Sequence, residues 1–169
     1  PNQVLVVAEL PEEPFFPAIL ESDFCFYLDG IQDPGNLGTM LRVADWFGIP
    51  AVICSPDSAD AFSPKAVQAS MGAFLRVGIW EMPLAQLLEQ APGAPVAGAV
   101  LGGENIFRTK LPSRGVLVIG NEGKGISSEA EARLTHRLTI PRHPSGGAES
   151  LNAAVAAGIC AAALRNPSI

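Results

Sequence analysis

Residues 116–127 read VLVIGNEGKGIS, and this stretch does most to decide the fold. Its first four residues are all apolar and mostly β-branched, which is typical of a strand covered on both faces of a parallel sheet. The three glycines that follow permit a tight loop and a close approach of backbone to a ligand. Ser127 is predicted to cap a helix, because two glutamates fall in the favourable first turns after it. The stretch therefore predicts a strand, a loop and a helix in succession.

The same alternation of strand and helix patterns extends along the chain. Strands are predicted at residues 4–7, 24–28, 51–54, 75–80, 96–100, 116–119 and 138–140. Helices are predicted at residues 37–47, 65–71, 84–90, 127–134 and 151–164. This order predicts an α/β fold with a mainly parallel sheet and helices on both faces.

Composition sets the domain organisation. The chain has 169 residues, 48% hydrophobic and 17% charged, which suits one domain with a packed core. Residues 1–23 are predicted to form an N-terminal strand and a linker-like segment rich in proline and acids, and residues 24–169 the main domain. There is no signal-peptide pattern, and the longest apolar stretch, residues 151–164, is too short to cross a bilayer.

The three cysteines are scattered, with no CxxC pair and no histidine beside them. This pattern argues against a disulfide framework and against structural zinc, so a reducing cytoplasm is the expected location and no metal is expected.

Charge is distributed unevenly. The net charge of −6 and the pI of about 4.8 argue against a domain that grips nucleic acid by bulk electrostatics. Residues 1–60 contain ten acids and a single base, Arg42, whereas residues 108–142 contain seven bases and three acids. The basic segment is either a solvated mixed surface, which suits most of its side chains, or a local face for phosphates.

Three polar segments follow predicted strands, where open α/β sheets bind their ligands. In the first, residues 28–42, a Pro-Gly turn precedes Asn36, which is predicted to be a helix N-cap with Arg42 on roughly the same side of the helix. The second is residues 118–127, which contains neither a P-loop nor a GxGxxG fingerprint. The third, residues 138–153, ends in Glu-Ser-Leu-Asn, where Ser150 is a candidate cap of the last helix. Taken singly, each of these residues is more often structural than catalytic.

Together the three segments closely resemble the signature motifs of the SpoU/TrmH family within the SPOUT superfamily. The first matches its asparagine–glycine–arginine motif at Asn36, Gly38 and Arg42. The second matches its Gly-Asn-Glu-Gly motif at residues 120–123, and the third matches Ile-Pro and Glu-Ser-Leu-Asn at residues 140–141 and 149–152. Order and separation agree from about Phe24 onward. The chain departs from the family pattern at residues 142–148, because the usual loop between the proline and Glu-Ser-Leu-Asn is shorter.

The resemblance implies an S-adenosylmethionine-dependent RNA ribose 2'-O-methyltransferase with a deep C-terminal trefoil knot. It assigns catalytic roles to Arg42, Asn36, Glu122, Ser150 and Asn152, and cofactor contacts to Gly120, Ile140, Leu151, Leu101 and Gly102. A guanidinium has a pKa above about 12 and stays protonated at neutral pH. For Arg42 we therefore favour binding of a phosphate, which would orient the hydroxyl, over a role as the base. Asn36 would hold the hydroxyl or Arg42, and Glu122 would fix Arg42 or the loop. Ser150 and Asn152 would order the site by hydrogen bonds.

The resemblance also implies partners. The expected substrate is structured RNA, 23S-type ribosomal RNA rather than tRNA, and the expected assembly is a homodimer through the knot region, with no membrane partner. Many members carry an N-terminal substrate-binding domain resembling ribosomal protein L30e, which we expect to be absent from this chain. The competing hypotheses are a tRNA ribose methyltransferase, a non-catalytic knotted RNA-binding protein, a knotted base methyltransferase and a Rossmann-type dinucleotide enzyme. The missing GxGxxG disfavours the last.

Overall fold

The computed structural model describes residues 7, 9, 10 and 14–165. The strand predicted at residues 4–7 lies outside this part, apart from Val7. The strands are β1 (Phe24–Asp29), β2 (Ala51–Cys54), β3 (Gly78–Glu81), β4 (Val96–Asn105), β5 (Gly115–Gly120) and β6 (His136–Thr139). The helices are α1 (Ile19–Ser22), α2 (Pro34–Trp46), α3 (Pro64–Ser70), α4 (Leu84–Gln90), α5 (Ser128–Glu131) and α6 (Ala153–Arg165), with a 3-10 helix at Ala73–Leu75.

The six strands form one parallel sheet in the order β3-β2-β1-β5-β4-β6. Side chains alternate between the two faces of each strand. In β1, Phe26 and Leu28 join a buried cluster with α2, α3 and α6, whereas Cys25 and Tyr27 join a second cluster with α1, α4 and α5. The predicted parallel α/β sheet with helices on both faces is thereby confirmed.

Several local predictions were wrong. The strand predicted at residues 75–80 begins only at Gly78, because Arg76 and Val77 donate to Ala73 O and extend the preceding 3-10 turn. Helix α2 starts two residues before Asn36, since Pro34 suits a first helical position. Its N-cap is Asp33, whose carboxylate accepts from the backbone N–H of Asn36 at 2.9 Å.

The last helix is capped by Asn152 rather than Ser150. The Asn152 side-chain oxygen accepts from the backbone N–H groups of Ala154 and Val155, at 2.9 and 3.2 Å. These are the second and third residues of α6, the positions that an N-cap side chain satisfies. The cap therefore uses the side-chain oxygen Oδ1 of Asn152 and leaves its side-chain nitrogen Nδ2 available for other partners.

Strand β4 is longer than predicted and is interrupted. Ala99 and Glu104 both pair with Leu138 of β6, so residues 100–103 bulge out of the ladder. Gly102 lies within the bulge at φ 75°, a left-handed conformation that favours glycine. Leu101 beside it is 81% exposed. The bulge thus places backbone and an apolar side chain in solvent above the edge of the sheet.

Helices α2 and α6 lie side by side and run in the same direction. Asn152 before α6 bonds to Asn36 near the start of α2, and Arg165 at the end of α6 bonds to Phe47 O and Gly48 O just after α2. Gly38 packs α2 on its other neighbour, α3, where an added Cβ would lie 2.3 Å from a backbone oxygen. These contacts fix α2, which carries the first motif.

Within the described residues, none of the helices has the length and hydropathy needed to cross a membrane. All three cysteines are buried free thiols. Burial raises the pKa of Cys160 to about 12, so this thiol stays protonated and unreactive at neutral pH.

Candidate active site

The three motif segments begin at one edge of the sheet. Strands β1, β5, β4 and β6 are consecutive neighbours and run parallel, so their carboxyl ends are adjacent. Asp29 at the end of β1 is in register with Gly120 at the end of β5. The first, second and third motifs therefore leave the sheet side by side.

A chain of hydrogen bonds joins one residue from each motif. The Asn36 side-chain Nδ2 donates to Glu122 Oε1 at 2.8 Å, and Asn152 Nδ2 donates to Asn36 Oδ1 at 3.0 Å. A carboxylate can only accept, so Glu122 fixes the orientation of the Asn36 amide, which in turn fixes that of Asn152. Three of the five residues predicted to be catalytic thus lie in direct contact.

The Glu122 carboxylate is held in its ionised form. Burial opposes ionisation, but hydrogen bonds from the Asn36 side chain and from the backbone, including the N–H of Gln32, outweigh it and hold the pKa of Glu122 below its ordinary value. The bond from Gln32 N to Glu122 Oε2 is 3.4 Å long. A carboxylate with a lowered pKa is a poor proton acceptor, so its geometry suits orientation of Asn36 better than proton abstraction.

Arg42 and Ser150 are not part of this network. The Arg42 side chain is exposed on α2 and makes no hydrogen bond or ion pair with any described residue. The expectation that it lies on the same side of the helix as Asn36 was wrong, because six residues correspond to about 600° of rotation and leave the two about 120° apart. Ser150 is likewise exposed and has no hydrogen bond within the described part of the chain. Of the alternatives predicted for Asn36 and Glu122, a hydrogen bond to Arg42 is therefore not formed.

The residues predicted to contact the cofactor lie around the ends of β5, β4 and β6. Gly120 ends β5, where an added Cβ would lie 2.3 Å from the backbone of Gly125, so the loop closes tightly on this strand end. Ile140 follows β6 and is partly buried. Leu151 is 48% exposed and immediately precedes Asn152, while Leu101 and Gly102 lie in the β4 bulge. Exposed apolar side chains and turn backbone at these strand ends are suited to the face and edge of an adenosine.

Sequence reasoning missed two residues that shape the site. The Asn121 side chain donates to Gly30 O at 2.7 Å and accepts from the backbone N–H groups of Gly123 and Lys124, so it folds the second motif and ties it to the first. Asp29, only 8% exposed, accepts from Ser127 N and Oγ at the start of α5. Asn121 lies inside a quoted motif, and asparagine is a frequent turn former, which is the signal that could have found it.

The loop of residues 142–148 closes on itself. Arg142 Nη1 donates to Ala148 O at 3.1 Å, and His143 Nδ1 lies 2.7 Å from Ser145 Oγ. The Arg142 guanidinium is thus engaged inside its own loop. No cluster of three or more histidine, cysteine or acidic side chains suited to a metal ion occurs among the described residues.

Comparisons with known proteins agree with this arrangement. The profile of the SpoU rRNA Methylase family matches residues 23–162. The 23S rRNA (guanosine(2553)-2'-O)-methyltransferase RlmP of Bacillus subtilis is 34% identical over 168 residues, which are 98% of this chain and 65% of that protein. A TrmH-family RNA methyltransferase structure from Porphyromonas gingivalis has a TM-score of 0.83 and 46% identity, over 95% of this chain and 64% of that one.

An rRNA methyltransferase from Sinorhizobium meliloti, solved with bound AdoMet, has a TM-score of 0.79 and 30% identity. That match covers 87% of this chain and 57% of the other. The chain thus spans less than two thirds of the length of each of these three proteins.

Proposed function

The chain belongs to the SpoU rRNA methylase family, and we propose that it methylates a ribose 2'-hydroxyl of ribosomal RNA with S-adenosylmethionine as methyl donor. The names of its relatives support the reaction, since one methylates a guanosine 2'-oxygen of 23S rRNA and another binds AdoMet. The single observation that carries the proposal is the hydrogen-bonded chain Asn152–Asn36–Glu122, which joins three motifs distant in sequence at one edge of the sheet.

The cofactor, when bound, supplies a methyl group already activated on a sulfonium, which leaves positioning and charge control to the protein. The proposed cofactor residues are Gly120, Ile140, Leu151, Leu101 and Gly102. Leu101 and Leu151 are 81% and 48% exposed, and an adenosine would remove their apolar surface from water. The tight backbone at Gly120 would offer N–H and C=O groups to its polar edge.

The remaining residues would place the ribose. The Asn36 amide keeps one N–H and one lone pair after its bonds to Glu122 and Asn152, and these would hold the 2'-hydroxyl. Arg42, unengaged among the described side chains, would bind a substrate phosphate in a bidentate manner and so orient the hydroxyl. Ser150 remains a predicted contributor through hydrogen bonds in the loaded site.

Finer features implied by the family belong to the same proposal. A C-terminal trefoil knot is supported by the return of α6 from the sheet-edge strand β6 to a position beside α2. A homodimer through the knot region is supported by Val155, which lies 51% exposed on α6 among small alanines. An rRNA substrate would place the protein in the cytoplasm. The acidic charge suggests that most RNA affinity resides in a domain outside this chain.

The test is methyl transfer from labelled S-adenosylmethionine to unmodified 23S rRNA transcripts and to tRNA transcripts. A 2'-O-methyl group blocks alkaline cleavage, so the expected product is an alkali-stable labelled dinucleotide from rRNA. Label found only in tRNA would shift the assignment to a tRNA ribose methyltransferase. Failure to bind S-adenosylmethionine in calorimetry would instead favour a non-catalytic knotted RNA-binding protein.

A further inference from the structure

Gln32 lies outside the three motif matches, yet it contacts three of the loops that surround the site. Its side-chain Nε2 donates to Asp57 O at 2.6 Å and to Gly30 O at 3.4 Å. Its backbone N–H donates to Glu122 Oε2 at 3.4 Å. One residue therefore connects the loops that follow β1, β2 and β5.

The anchor of the Gln32 side chain is itself fixed. Ser55, only 4% exposed at the end of β2, accepts from Gly30 N at 2.8 Å and donates to Asp57 Oδ1 at 2.5 Å. Ser58 Oγ donates to Leu28 O at 3.0 Å and so holds the same loop against β1. The loop after β2 is thus a firm support against which Gln32 can hold the first motif.

The conformation between Gly30 and Asn36 determines whether Glu122 is correctly held. Gly30 is in the left-handed region at φ 68°, so the chain turns sharply just before Gln32. Bonds to Ser55, Ser58 and Asn121 hold the start of this turn at Gly30 and Ile31, whereas the bond to Asp57 O is the one that ties the Gln32 side chain to the loop after β2. A relaxed turn would move the Gln32 N–H away from Glu122 and loosen the Asn36 amide that Glu122 orients.

We propose that Gln32 is a positioning residue for methyl transfer, acting through Glu122 on Asn36. The inference rests on the proposed function of the same site. It does not require Gln32 to touch either substrate, because displacement of a reacting group by about 1 Å can slow a reaction about 100-fold.

The test variant is Gln32→Met, which keeps the length of the side chain and removes its donor. The matched control is Gln86→Met, because the Gln86 side chain is exposed on α4 and makes no hydrogen bond with the described residues. We expect kcat for methyl transfer to fall about 10- to 100-fold in Gln32→Met, while KM for RNA, S-adenosylmethionine affinity and Tm stay near wild type. The acid limb of its pH–rate profile should move to higher pH, whereas Gln86→Met should match the wild type.

The outcomes separate the two proposals. A wild-type chain that binds S-adenosylmethionine but methylates neither rRNA nor tRNA would overturn the proposed function and this inference with it. An active wild type with an equally active Gln32→Met variant would overturn the inference alone. A loss of activity matched by an equal loss of cofactor affinity or of Tm would also overturn it, because Gln32 would then serve folding or the cofactor loops.

Discussion

Helices α2 and α6 are fastened together at both ends, but by different chemistry. At their N-terminal ends the two amides of Asn152 and Asn36 meet at 3.0 Å. At their C-terminal ends Arg165 donates to Phe47 O and Gly48 O at 2.8 and 2.7 Å and pairs with Asp23 at 2.8 Å. Both contacts hold the same helices in the same relative position.

The difference lies in the hydrogen-bonding capacity that remains. Arg165 donates to the backbone carbonyls of the two residues that follow α2 and pairs with one carboxylate. Asn36 and Asn152 retain donors and acceptors, and Glu122 extends their network toward the ends of the strands. The contact at the C-terminal ends therefore serves the stability of the fold, whereas the contact at the N-terminal ends is also part of the proposed active site. Variants at the two ends should separate activity from stability.

The largest effect is expected for Arg42→Ala, on the helix that both ends hold. Loss of the guanidinium removes the charged donor that would fix the substrate phosphate, and methyl transfer should fall about 10²- to 10³-fold, as for other lost transition-state donors. S-adenosylmethionine affinity should stay near wild type, since Arg42 contacts no proposed cofactor residue among those described. Single-turnover methylation and calorimetry on the purified variant provide the measurement. Near-normal turnover would refute the role.

The second effect is expected for Asn36→Ala, which opens the N-terminal contact. Transfer should fall about 10- to 100-fold, because the hydroxyl and Glu122 both lose their partner. In the wild type the pKa of Glu122 is lower in the folded than in the unfolded protein. The stabilisation from its ionised carboxylate is therefore present above the unfolded pKa and is lost as pH falls through the folded pKa. Removing the Asn36 donor raises that pKa, so the loss should begin at higher pH. An unshifted acid limb of the pH–stability profile, measured from melting curves of the two proteins, would contradict this.

The predicted site residues and helix caps show what a sequence can and cannot predict. The three motif segments bring Asn36, Glu122 and Asn152 into contact, as expected when parallel strands place their carboxyl ends together. Prediction from sequence failed on helix starts, where Asp33 and Asn152 compete successfully for the capping N–H groups. Several polar residues can cap within one turn, so the tertiary partners decide which one does.

Motif glycines and long-range contacts show a second limit. Gly38 belongs to the first motif, but the structure explains it by packing, since an added Cβ would lie 2.3 Å from Ala66 O of α3. The bonds from Gln32 to Asp57 O and from Arg165 to Asp23 join segments that share no local pattern. Such contacts arise from the order of strands in the sheet, which no single segment encodes.

The third prediction concerns the C-terminal end. Arg165→Met should lower the free energy of unfolding by about 2 kcal/mol, because charged hydrogen bonds to the carbonyls of Phe47 and Gly48 are lost. For a chain of this size the Tm should fall by about 4–8 °C, measured by thermal denaturation. Activity at 25 °C should stay within about twofold of wild type. The Tm of Arg165→Lys, which keeps the charge and loses the planar guanidinium, should lie between those of wild type and Arg165→Met. A fall in kcat similar to that of Asn36→Ala would show that the two ends are not separable.

The smallest effect is expected for Asp45→Asn, near the same end of α2. Arg76 donates to both carboxylate oxygens of Asp45, with a closest distance of 2.7 Å, yet the two side chains are 56% and 29% exposed for Arg76 and Asp45. Surface pairs of this kind contribute little and are screened by salt, so the Tm should change far less than in Arg165→Met, and less again in high salt.

The stabilisation from the Arg76–Asp45 pair depends on pH. Hydrogen bonds and charge from Arg76 lower the pKa of Asp45, so any stabilisation is present above the unfolded pKa and is lost as pH falls through the folded one. Melting curves of wild type and Asp45→Asn should therefore converge in acid. If Asp45→Asn lowered the Tm at neutral pH as much as Arg165→Met does, the exposed ion pair of Arg76 would stabilise the fold as much as the bonds from Arg165 to the carbonyls after α2. The contrast between the two ends would then rest on Asn36 alone.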